Sequence, residues 1–108
     1  MAREVTLEAA GSSLANGFFT LLRRGADRSL VWSADKWRAV SVTESGIEFQ
    51  AEDPEGPPMS VDSSDIHHVT WEQLPRQTVR SQVRFHLLSG DQLIFSGTVD
   101  LEPIERLG

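Results

Sequence analysis

Cysteine is absent from all 108 residues, which excludes disulfides, zinc–thiolate centres and thiol nucleophiles. The absence fits an intracellular protein, so a cytoplasmic location is expected. Long apolar runs are missing too. The greasiest cluster, "FFTLL", is far short of the roughly 20 residues a bilayer span needs, and "MAREVTLEAAGSS" lacks the apolar core of a signal peptide. The chain therefore reads as soluble, with no stable membrane insertion. Positive charge is scarce. Lysine and arginine together number 10 against 16 acids, for a net charge of −6. Nucleic-acid binders usually show a basic face that releases phosphate counterions, so this balance argues against them, and more weakly against anionic membranes. From Glu44 to Glu72 there are eight carboxylates and no Lys or Arg. No internal repeat or low-complexity segment occurs.

What remains is ordinary globular material. With 39 % hydrophobic and 24 % charged residues, one domain over residues 1–108 with its own core is expected. The patterning is mostly that of strands. "EVTLEA" alternates Val5 and Leu7 with Glu4, Thr6 and Glu8, the period of a half-buried strand that "GSS" then breaks. Residues 12–24 allow two readings. As a helix, the favoured reading, Ser12 or Ser13 caps it, Leu14, Phe18, Leu21 and Leu22 share a face, and Gly25 stops it. As a strand, "FFTLLRR" pairs through "GADR" with "SLVWS". Further on, "WRAVSVT" turns through "ESG" into "IEFQA", where Ile47, Phe49 and Ala51 oppose Glu48 and Gln50 in a hairpin with one wet side. "EDPEGPP" is a loop, "MSV" a short strand, and "DSSDI" a turn leading into "HHVTW". In "TVRSQVRFHLL", Val83, Phe85 and Leu87 point one way and Arg80, Gln82, Arg84 and His86 the other. "SGD" then turns the chain into "QLIFSGTVDL". Seven or eight strands at this spacing predict a mainly β fold, a single small antiparallel β-barrel or sandwich with one short helix near the N-terminus.

Two phrases, "VTESGIEFQ…MSVDSSDIHHVTW" and "VRFHLLSGDQLIFSG", resemble the strand–turn–strand signature and later hairpin of the pleckstrin-homology-like superfamily, GRAM-type domains included, over residues 37–97. The resemblance implies a split β-barrel. Such domains normally end in an amphipathic C-terminal helix that plugs the barrel, and "TVDLEPIERLG" is not expected to supply one. Lipid-binding members place basic residues around the first hairpin. Only Arg23, Arg24 and Arg28 are available here, so headgroup binding is not expected.

Candidate sites are few. His67 and His68 invite a metal reading, but neighbours on a strand point to opposite faces, and no helical histidine pair or glutamate-adjacent metal motif exists. No metal or cofactor is therefore expected. No nucleophile elbow is present, so the chain is expected not to be an enzyme. "GADRS" and "SGDQ" are turns rather than phosphate cradles. Trp32, Trp37 and Trp71 are expected to pack over the core. The stripe Arg80, Gln82, Arg84 and His86 stands out in an acidic chain, because arginine favours bidentate recognition and interface hot spots. Acids of the Glu44–Glu55 run, Glu48, Glu52 and Asp53 among them, offer either a solvated face or a dock for a basic partner. The expected function is a non-catalytic protein-interaction module that binds another protein or itself. The alternatives are a small-ligand carrier in a barrel mouth, or a small enzyme subunit with a carboxylate site.

Overall fold

The computed structural model describes residues 2–52, 58–73, 81–98 and 104, apart from the side chains at 34 and 35. Among the described residues, eight antiparallel strands lie in one sheet. In chain order they are β1 (Arg3–Val5), β2 (Phe19–Arg24), β3 (Leu30–Thr43), β4 (Gly46–Ala51), β5 (Met59–Asp62), β6 (Ile66–Gln73), β7 (Ser81–Leu87) and β8 (Gln92–Gly97). A helix, α1 (Leu7–Leu14), follows β1. Ile104, helical and fully buried, joins the core from the C-terminal end, its carbonyl accepting from Arg3 Nη2 at 2.6 Å. Across the sheet the order is β1-β6-β7-β8-β2-β3-β4-β5. The expected mainly β architecture with one short N-terminal helix is what forms.

The sheet curls on itself, and the aromatic core measures the curl. Phe85 of β7 and Phe49 of β4 stand four places apart in the order, about 19 Å across a flat sheet at ordinary strand spacing. Their rings are 6.3 Å apart, and Phe49 also stacks on Phe95 of β8 at 4.6 Å. Phe19 completes the group edge-on to Phe95 at 4.8 Å. All four phenylalanines are fully buried, and the core around them draws on every strand and on α1. Tight turns make the curl feasible. Gly46 after the β3–β4 turn has φ +152, and a Cβ there would collide with the Val61 carbonyl.

The helix lies earlier than residues 12–24. Thr6, not Ser12 or Ser13, caps it by accepting from the Ala9 amide at 3.1 Å. The run "LEAAGSSL" coils and buries Ala9, Ala10, Gly11, Ser13 and Leu14, so "EVTLEA" is strand only as far as Val5. Gly11, read as a breaker, is a seat: a Cβ there would stand 2.7 Å from Val42 Cγ1 and 3.0 Å from Ile47 Cδ1. Arg38 of β3 donates to the carbonyl of Ala15 at 3.1 Å and ties down the helix end. Phe19–Arg24 is strand, pairing with β3 through the "GADR" turn as the other reading had it. Among the described residues, no helix is long and apolar enough to cross a membrane.

Candidate functional site

Three strands in the middle of the sheet build the surface that carries the expected stripe. Along β7, Val83 and Phe85 are fully buried, while Gln82, Arg84 and His86 face outward and are half-buried. Register places His68, Thr70 and Glu72 of β6 opposite His86, Arg84 and Gln82. On the other side, Gln92, Ile94 and Ser96 of β8 stand opposite the same three residues. These side chains engage one another across the strands. Arg84 Nη1 donates to Gln92 Oε1 at 3.3 Å, and Thr70 Oγ1 lies 3.1 Å from His86 Nε2. The His68 and His86 rings stack at 4.0 Å and 8°. His68, Thr70, Glu72, Gln82, Arg84 and His86 border a shallow depression of about 150 Å³. Burial, and then the positive charges of His68, Arg84 and His67, hold the His86 imidazole below the ordinary histidine value.

The two adjacent histidines do not diverge as a regular strand would require. A bulge between Ile66 and His68 leaves His67 as the extra residue, with no partner on β7. That offset sets the His67 ring edge-on to His68 at 4.8 Å, with their Nδ1 atoms in contact. All three histidines of the chain therefore meet on one patch. Among the described residues, no group of three or more His, Asp or Glu is arranged to hold a metal ion.

The same face continues past β8 into apolar ground. Arg84 stands opposite Ile94, Ile94 opposite Leu22 of β2, and Leu22 opposite Trp32 of β3. Ile94 and Leu22 are buried, yet the Trp32 ring is 66 % exposed, with Leu30 beside it in the next row at 53 %. Trp32 thus departs from the expectation that the tryptophans cover the core. Trp37 and Trp71 do pack against it. The Trp37 indole donates to Ser33 Oγ at 2.9 Å, and Arg3 lies over Trp71 at 5.6 Å.

The expected partner-binding residues do not form one site. Gln82, Arg84 and His86 share the face just described. Glu48 projects from β4 near Ser60 and Asp62, four strand positions away, and Glu52 lies beyond the end of β4 beside Arg38. Neither stands across the sheet from the arginine stripe. Arg80 and Asp53 lie outside the described residues. The two glycine turns are structural. Asp91 of the second reaches the first, accepting from the Ala26 amide at 3.0 Å and from Arg23 at 3.1 Å. Sequence reasoning missed Trp32, Leu22, Ile94 and His68. A signal existed for the middle pair: "LL" at 21–22 and "LIF" at 93–95 are consecutive apolar residues, the mark of a strand covered on both faces.

The chain matches no protein-family model, no curated protein and no solved structure.

Proposed function

We propose that this chain is a non-catalytic protein-interaction module, and that it docks through the outer face of β3, β2, β8, β7 and β6. One observation carries the reading. A single cross-strand row runs from exposed Trp32 over buried Leu22 and Ile94 to half-buried Arg84 and Thr70. Tryptophan and arginine are the residue types most often found at the energetic centres of protein interfaces. Here they flank an apolar floor, with Gln82, Gln92 and His86 as polar neighbours. The interior favours this over a carrier, because four contacting phenylalanines occupy the space where a ligand would sit. A pleckstrin-homology-like relationship is part of the proposal, with α1 in the place such domains give to their C-terminal helix. In this reading the partner is a protein or a second copy, the module is cytoplasmic, and lipid headgroups and nucleic acids are not ligands.

The test is the mass of the chain in extract from its own cells, compared with Trp32→Ala and Arg84→Glu variants whose circular dichroism is unchanged. A larger species lost in both variants supports the reading. A larger species that survives both, or that only Glu48→Arg removes, contradicts it.

A further inference from the structure

The three histidines meet where the fixed charges of the strands beside them cancel. Their contact is itself sensitive to protons. Two Nδ1 atoms in contact share one proton, so the His67–His68 pair requires at least one neutral ring, and a second proton drives the rings apart. The fixed charges around them, read from the register, come from every neighbouring strand. Glu4 of β1 stands opposite Thr70, and Glu72 lies on β6. Arg84 lies on β7, and Arg24 of β2 stands opposite Gln92. β8 contributes only uncharged residues to this face. Asp91, in the turn before β8, is drawn off to Arg23, and Asp65 is exposed in the turn before β6. Beside the histidines, two arginines thus face two glutamates, with Lys36 further along the face on β3, and the histidines decide the local sign.

We propose that the trio of His67, His68 and His86 makes this face a pH-gated site for acidic polypeptide segments, near neutral above pH 7 and cationic in mild acid. The inference rests on the docking reading above and adds the partner's chemistry and its control. Histidine is the side chain that ordinarily changes charge between about pH 5 and 8. At neutral pH the chain's net charge of −6 repels an acidic segment, whereas protons taken up by the cluster would reduce it and concentrate the gain beside Arg84. The depression between β6 and β7 gives a carboxylate access to Arg84, His68 and His86 together. His86, held low by burial and by its charged neighbours, completes the gate below the ordinary histidine midpoint.

A deca-aspartate peptide is the probe, titrated against the full chain by chemical-shift mapping in low salt at pH 7.5 and 5.5. Partly exposed charge pairs are individually weak, so the expected tightening from pH 7.5 to 5.5 is roughly five- to tenfold. A His68→Gln/His86→Gln variant should lose the rise between pH 7.5 and 5.5. Equal affinity at both pH values in the unaltered chain overturns the gate and leaves docking standing. No binding at either pH removes the acidic-segment site altogether. Independently of any peptide, titration of the imidazole carbon protons should show the His86 midpoint moving up in His68→Gln. An unchanged midpoint means that the rings titrate independently, and the coupled unit is wrong.

Discussion

The β4–β5 region and the β6–β7 region have the same inner face and opposite outer ones. On β4, Ile47, Phe49 and Ala51 are buried in alternation with exposed Glu48 and Gln50. On β7, Ser81, Val83 and Phe85 are buried in alternation with Gln82, Arg84 and His86. Alternation alone would make both outer faces solvated. Position in the sheet separates them. β4 has only the short edge strand β5 beyond it, and among the described residues no hydrogen bond or ion pair holds the Glu48 side chain. β7 has β6 on one side and β8 on the other, and its outward side chains stack on and bond to those neighbours. The same polar pattern is a wetted surface in one place and an organised one in the other.

The inner faces should prove equivalent. Phe49→Ala and Phe85→Ala each remove a fully buried ring from one cluster, and each should cost about 3–5 kcal/mol in chemical denaturation. A cost below about 1 kcal/mol for either would show that the sheet does not close as described. Next in size is the helix seat, which bears on the β3–β4 side. Gly11→Ala gains about 1 kcal/mol of helix propensity but loses about 1–3 kcal/mol to the clash with Val42 and Ile47, a net loss. Trimming Val42→Ala in the same chain should turn that loss towards a gain, and a loss that persists undiminished would point to another cause.

The outer faces should differ by less. Arg84→Ala should cost about 0.5–1.5 kcal/mol through the lost hydrogen bond to Gln92 and the lost cover over Ile94. Glu48→Ala should stay within about 0.5 kcal/mol of the parent. Equal values would erase the distinction. Smallest is the pH effect. The folded-state value of His86 lies below its ordinary 6.5, so the unfolded chain takes up that proton first as pH falls. Its contribution is full above about pH 6.5 and is lost as pH drops through the folded value. Denaturation midpoints across that window should therefore fall with acidification, and His86→Gln should flatten the fall.

Sequence carried the hairpins and left out what distance decides. "IEFQA" and "SQVRFHL" show their faces because period-2 alternation with one wet side has a single structural reading. Val5 and Leu7 misled because so short an alternation also fits a strand that gives way to a helix, and only the Thr6 cap marks the change. Gly11 looked like a terminator because its purpose, close approach to Val42 and Ile47, lies some 30 residues further along the chain. The site was legible along β7 and nowhere else. Register across four strands brings Trp32, Ile94 and Arg84 into one row, and a single bulge turns His67 onto His68. Neither the register nor the bulge is written in local composition.

The most direct test of the docking face is histidine modification by diethyl pyrocarbonate, read residue by residue by mass spectrometry on the free chain and on its complex. The β6–β7 face as docking surface predicts that His67, His68 and His86 react in the free chain and are shielded in the complex, while carbodiimide labelling of Glu48 and Asp62 is unchanged. Histidines equally reactive in both states, with shielding at Glu48 and Asp62 instead, would contradict it.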